Sequence, residues 1–534
     1  MRGMFGGGGQ CGVQPRPGRC SAVRMICRGR LGARFALTML GAILAGCGDG
    51  GGEPTLREAA IRTLAYVVTE CHDRPEGSVG RQRLEILRGD APAPLVIKDL
   101  DAFGPIQRRF EGFPLCITAA FNRLGAVFVN EGVFQRLGVS PDGSRVAFEV
   151  TDTFATVRPD GEPVHPLPED EKGIFVVHSD GSDLRRLGPA SRDAPFRSPN
   201  GFGITSFSPL FDFNRDSKTV VYTDLGPGPE GEEAIQIVSL DVETGRRTQL
   251  TRLPSGPPFD PDRPSTLGPF FLDANRVAFY STSNPENLNP DQRLLPFTVN
   301  RDGTNLKRGP QPVGLTGGGF VPEFVITGPT PGTALISPSG KLITGDHDLA
   351  ILEVFVVDGD NLLQLTNFGL DDTLFALTSA DGQRVIFNSS ADPCVDGSYP
   401  KCSASNPNRN CQLFSIDRTG GDLRQLTAFE DTVADPKLQQ MGCTYNAWRV
   451  DRRGCSADFF FEDLQTETFV FHSSCNPFGP PSFVGAQIYA MRPDGSGLRA
   501  LTALRGIFTD SDGFLATELP LPVGYSTSTH YAIR

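Results

Sequence analysis

Several things are scarce in this chain of 534 residues, and each scarcity excludes something. There is one tryptophan and there are six histidines, with no C-x2-C pair and no H-E-x-x-H. Zinc sites of the usual spacing are therefore absent from the text. No G-x-S-x-G elbow occurs, which removes the α/β-hydrolase type of serine peptidase. The nearest phrase, Asp494-Gly495-Ser496-Gly497, reads as a hairpin turn. The longest apolar run, Phe35 to Leu44, is too short for a permanent transmembrane helix. Basic charge is also short. Residues 1–46 hold seven Arg and no acid, so the remainder carries 43 basic against 62 acidic residues, a balance of −19. Sequence-independent nucleic-acid binding runs on phosphate neutralisation and is disfavoured. So is adsorption to anionic lipid.

What is abundant is Gly and Pro, 61 and 44 residues spread between short apolar runs. That distribution predicts many turns and few long helices. At this length the chain exceeds a single compact core, so it is several domains or a repeat array.

The leader reads as an address. Arg28, Arg30 and Arg34 precede the apolar run, and Leu44-Ala45-Gly46-Cys47 follows it. This order is that of a secretory signal peptide. Its ending resembles the bacterial lipoprotein box, which implies lipidation of Cys47 and cleavage before it. Met25 gives a leader of ordinary length and is the expected start of translation. The expected organisation is a leader over 1–46, a lipidated cysteine with a Gly-rich tether over 47–56, and one β domain over 57–534. Export makes the remaining even set of cysteines read as disulfides. Cys71 and Cys116 stand apart and are expected to pair. Cys394, Cys402, Cys411, Cys443, Cys455 and Cys475 allow fifteen pairings, within cysteine-rich insertions at 391–411 and 431–455 and just beyond them.

Two phrases recur. VSPDGSRVAFEV is followed by GIFVVHSDGSDLRRLG; later come RVAFYST with PFTVNRDG, RVIFNSS with QLFSIDRTGG and DLRQLT, and TFVFHSS with QIYAMRPDG and GLRALT. Asp-Gly between apolar runs is a hairpin signal, because that pair tolerates a tight turn's positive φ. Two hairpins in series make a four-stranded antiparallel meander. Units are read at 57–100, 139–187, 205–251, 269–308, 333–366, 373–427 and 456–502. The fold class is all-β: a β-propeller of four-stranded antiparallel blades, seven by this count and six if 57–100 is irregular. The tail 505–534 is placed to return and complete the first blade. The units resemble TolB-like, WD40-like propeller repeats. That resemblance implies an envelope-associated binding platform, though the α/β domain that precedes the TolB propeller has no counterpart in the text here.

Candidate site residues are few. His347, in GDHD after an apparent inner strand, is a candidate for the central channel. Trp448, with Arg449, Arg452 and Arg453, sits in the cysteine-rich stretch CTYNAWRVDRRGC and is a candidate for recognition. No catalytic, metal or cofactor residue is assigned. Asp358-Gly359-Asp360 and Asp371-Asp372 could take calcium but fail the EF-hand spacing. The expected function is a lipid-anchored, exported platform that binds an envelope protein, monomeric and without nucleic acid. It touches membrane only through its N-terminal lipid, on the outer-membrane or periplasmic side or at the cell surface. The alternative is a carbohydrate binder or a metal-dependent carbohydrate-active enzyme working in the channel.

Overall fold

The computed structural model describes strands and adjoining turns in segments between residues 63 and 502, together with 525–533. The longest stretches outside the description are 1–62, 115–132, 194–210, 310–322, 430–456 and 503–524. The described residues belong to one compact unit, Glu58–Arg534.

Nearly all regular structure is strand, in antiparallel sheets that follow one another along the chain. Among the described residues six sheets are four-stranded antiparallel blades, here called A to F. Blade A combines Thr63–Arg74, Gly77–Arg88 and Leu95–Ile106 with the last strand of the chain, Tyr525–Ile533. That last strand pairs antiparallel with Thr63–Arg74, from Leu64 opposite Ile533 to Cys71 opposite Tyr525. Blade B runs from Phe134 to Gly188, C from Asp212 to Gln249, D from Thr266 to Arg308, E from Glu323 to Gln364 and F from Ala457 to Ala500. Between E and F in sequence, 376–425 forms a five-stranded sheet.

Seven four-stranded antiparallel blades are expected from the repeats, and the structure corrects that to six. The departure falls at 373–427 rather than at 57–100. There the insertion supplies Cys402–Ser403, which pairs parallel with Leu423–Gln425 on the outer edge. A repeat phrase specifies its own hairpins, but it carries no signal for a strand contributed by a loop.

The strands are also more buried than a one-sided sheet would be. In RVAFEV, RVAFYS and RVIFNS every residue after the arginine is buried. Each blade is covered on both faces, so alternate side chains pack on opposite neighbours. In blade C, Val220, Tyr222 and Val238 pack on Ala147, Ile174 and Val176 of B. Val221 and Ile237 pack on Val277, Phe279 and Phe297 of D. Similar clusters join E to the five-stranded sheet through Val354 and Phe387, that sheet to F through Ile386 and Phe471, and F to A through Val470 and Leu64. A and B meet where Val133 N–H donates to Gln82 Oε1 at 2.8 Å. The first strands of neighbouring blades approach one another, as where Phe211 N–H donates to Leu137 O at 3.1 Å. A Cβ at Gly138 would lie 2.2 Å from the Phe211 carbonyl oxygen, so only glycine fits there.

The closing Leu-Thr of the repeat has a physical cause. The third strand of blade C, Glu233–Asp241, carries Gln236, whose Oε1 accepts from Thr251 Oγ1 at 2.9 Å and from Leu253 N at 2.8 Å. Its Nε2 donates to Leu253 O, while Ile237 N donates to the same threonine hydroxyl. Gln412 with Thr427 and Phe429 repeats this lock in the five-stranded sheet. Gln487 and Thr502 do so in F. In E the acceptor is Glu353, which takes Thr366 Oγ1 at 2.6 Å and Phe368 N at 2.7 Å. Each lock satisfies buried backbone donors just where the chain leaves one blade.

Candidate functional site

The connections fall on two ends of the blades. In B the turn from first to second strand (140–144) and the turn from third to fourth (179–184) share one end. The long loop 151–172 and the exit toward C share the other. The same alternation in every antiparallel meander gives the molecule a turn face and a loop face.

On the turn face the Asp-Gly hairpins bind their own donors, while arginines there join neighbouring blades: Arg185 of B donates to Val242 O and Glu243 O of C, and Arg301 of D lies 2.8 Å from Asp216 of C. Asp180 accepts from Ser182 N and Oγ, Asp302 from Thr304 N and Oγ1, and Asp494 from Ser496 N. The glycines that follow have φ of 84°, 83° and 87°. The serine or threonine hydroxyl beside each aspartate, helped by the backbone N–H, holds these carboxyls below the usual aspartate range. These aspartates stabilise turns.

The loop face holds a feature without a motif. Arg136, on the first strand of B, is 1% exposed and is among the largest fully buried side chains. One of its terminal nitrogens lies 3.2 Å from Glu149 Oε2 and 2.8 Å from Ser191 Oγ. The other lies 2.9 Å from Asp193 Oδ2 and 2.8 Å from both Thr223 O and Thr223 Oγ1. The Tyr222 ring centroid is 5.2 Å from the guanidinium. Asp224 adjoins the network, bound by Arg192 N at 2.7 Å and Arg247 at 2.7 Å. Burial, then the nearby Asp193 charge, raise the Asp224 carboxyl above its usual range. The network joins the core of B to that of C and is closed to solvent, so it is an inter-blade clamp rather than a surface for ligand. In sequence Arg136 is one arginine among many. Its role appears only when GVFQRLG, FEV, SRD and YTD meet.

The loop-face corners share a signal that the sequence does display. Blades D and F and the five-stranded sheet read FYSTSNP, FHSSCNP and FNSSADP at the end of the second strand. In D, Asn284 Oδ1 accepts from Asn289 N, and Asn289 Nδ2 donates to Thr282 O and Ser283 O. In the five-stranded sheet Asp392 accepts from Asn406 N, and Asn406 Nδ2 donates to Ser390 O and Ala391 O. The corner is thus the same, with thirteen residues between Asp392 and Asn406 in place of four. Those residues include a short helix, Pro393–Asp396, and a disulfide between Cys394 and Cys402 with Cα atoms 5.7 Å apart. The helix holds Val395 74% exposed, the most exposed of the large apolar side chains described. In the equivalent loop of F, Phe478 is 59% exposed.

Of the other sequence candidates, Cys411 is buried and disulfide-bonded. Cys71 and Cys475 lie on strands of A and F whose side chains there are outside the described set. Cys47, Cys116, Cys443, Cys455, His347 and Trp448 are outside the described residues. The apparent inner strand before His347, in KLITGDH, is corrected. Leu342–Ile343 pairs with Leu349–Ala350 in a separate two-stranded ribbon, while blade E uses Glu323–Val325 and Gly332–Ile336. A short apolar run looks the same in a loop ribbon as in a blade. His178 sits on the turn face, its ring 3.3 Å from Ser182 Oγ, and His472 lies in F. Among the described residues no group of three His, Cys, Asp or Glu side chains could hold a metal.

No family model matches the sequence, and no curated protein matches it. Comparison with solved structures finds an acylaminoacyl peptidase at 10% identity and a TM-score of 0.42, over 83% of this chain and 51% of that one. This chain therefore spans about half the length of that peptidase. The β-propeller domain of the trilobed protease from Pyrococcus furiosus matches at 11% identity and a TM-score of 0.43, over 83% and 95% of the two chains. An oligogalacturonate lyase from Vibrio parahaemolyticus matches at 10% and 0.34, over 79% and 90%. The fold assignment rests on the strand pairing above, and nothing about activity is taken from these proteins.

Proposed function

We propose that this β-propeller is a non-catalytic binding platform of the bacterial cell envelope, anchored by lipid on Cys47, whose loop face receives a protein partner. The observation that carries the reading is the division of labour between the two faces. The turn face spends its polar groups on its own hairpins and on arginine bridges between neighbouring blades. The loop face carries the long connections and a disulfide-closed insertion that presents Val395 to solvent. Exposed apolar side chains on a braced loop suit partner recognition better than exposure on a floppy one, because less conformational entropy is lost on docking. The leader text, with LAGC after its apolar run, supports export and anchoring.

A photo-crosslinking residue at position 395 in the native envelope tests the platform. Partner adducts at 395, absent from the same probe at turn-face position 302, are expected. Adducts at 302 alone would reject this choice of face. Cys47→Ala is expected to release the protein from membranes, and unchanged retention would reject the anchor.

A further inference from the structure

We propose that the Cys394–Cys402 disulfide is a thiol-addressable latch, and that its reduction frees the flap 393–405 from the edge of the five-stranded sheet without unfolding the rest of that sheet. Three observations carry this. The flap has a built-in hinge, because Asp392 and Asn406 are clamped together at its base by the same hydrogen bonds that close the corner of blade D, where no insertion exists. The corner therefore does not need the flap.

Beyond the hinge, the flap is held lightly. Leu423 N donates to Lys401 O at 2.9 Å, Ser405 N donates to Gln425 Oε1 at 2.9 Å, and only two residue pairs, Cys402 with Leu423 and Ser403 with Arg424, make up the parallel ladder. Tyr399, Cys402 and Ala404 lean on the cluster containing Phe368, Phe387 and Leu423. Without the covalent closure, few contacts oppose the conformational entropy of thirteen residues.

The third observation is access. Cys394 is exposed, whereas Cys411, disulfide-bonded at the end of the same insertion, is fully buried. A thiolate of a small thiol attacks one sulfur of the 394–402 bond and forms a mixed disulfide. A second thiol then releases the oxidised reductant as its own disulfide, and Cys394 and Cys402 each end protonated as thiols. Two electrons and two protons come from the two reductant thiols. The buried Cys411 bond is shielded from the same attack. Opening leaves a four-stranded antiparallel sheet like blades A to F. It also uncovers Leu423 and the Phe368 face, and removes Val395 from its fixed position.

The test is limited trypsin digestion of the full chain under native conditions, before and after mild glutathione or dithiothreitol. Lys401 is exposed, but its carbonyl is tied to Leu423 N, so the bond after it is protected while the latch is closed. Expected are two titrated thiols at Cys394 and Cys402, with cleavage after Lys401 faster by about tenfold or more, and an unchanged thermal midpoint for the rest of the molecule. The Cys394→Ser, Cys402→Ser double variant should cleave at the fast rate without reductant. Two titrated thiols with no change in cleavage, acceleration spread evenly along the chain, or reduction at Cys411 first would each overturn the latch. So would a double variant that still cleaves at the slow, oxidised rate.

Discussion

The hairpin turns of one face and the buried polar network of the other solve the same problem in opposite ways. In the turn-face hairpins Asp180, Asp302 and Asp494 bind donors two residues away, so these turns are stabilised by their own sequence. On the loop face the polar groups reach across the fold: Arg136 binds residues 13, 55, 57 and 87 positions away, and the Gln–Thr locks span 15. Local bonds leave a turn intact whatever its neighbours do. Long-range bonds depend on packing, tying two blades in the Arg136 network and two parts of one sheet in each Gln–Thr lock.

The largest test of that contrast is Arg136→Leu. It leaves the buried Glu149 and Asp193 carboxylates without their cation, and a loss of about 3–5 kcal/mol in unfolding free energy is expected by denaturant titration. A loss under 1 kcal/mol would mean that the clamp is not what joins B to C. Next comes Gln412→Ala, which strips acceptors from Thr427 Oγ1 and Phe429 N. About 1–3 kcal/mol is expected, with faster hydrogen exchange at the Phe429 amide.

Smaller still is Asp302→Ala on the turn face, expected to lower the thermal midpoint by less than either of these. This loss should depend on pH. The folded carboxyl of Asp302 is held below its unfolded value by Thr304. Its contribution is therefore complete above the ordinary aspartate range, about pH 4, and is lost as pH falls through the lowered folded value. The gap in thermal midpoint between wild type and Asp302→Ala should shrink on acidification. Asp224 on the loop face has the opposite sign: its folded carboxyl is raised, so protonation on acidification is easier folded than unfolded and favours the folded state. Asp224→Asn should accordingly cost less at neutral pH than Asp193→Asn, and a larger loss would contradict the sign. The smallest effect belongs to Val395→Asp, expected to leave stability within about 0.5 kcal/mol while lowering partner adducts.

Much of the architecture was legible before any coordinates. The Asp-Gly pairs marked hairpins because the chemistry of a tight turn is local, and the strands of B, C, D and F lie where their apolar runs place them. Two regions were not legible. KLITGDH has strand-like text but pairs in its own ribbon, since pairing partners are chosen by the fold and not by composition. The fifth strand Cys402–Ser403 has almost no strand signal, and a disulfide and an Asn clamp place it. The F-x-S-x-x-[ND]-P corners were visible as repeats, yet their function as clamps needed the side-chain bonds of Asn289 and Asn406.

Sequence alone determined what depends on neighbours within a few residues: the turns, the alternation of short strands and the lack of a G-x-S-x-G phrase. Tertiary structure alone decided which groups meet across blades, as in the Arg136 clamp, and which distant groups meet within one sheet: the Gln–Thr locks, the 394–402 pairing and the fifth strand. The physical reason is distance along the chain. A hydrogen bond between residues two apart leaves a pattern in the text, whereas one between residues 87 apart exists only once two sheets have packed.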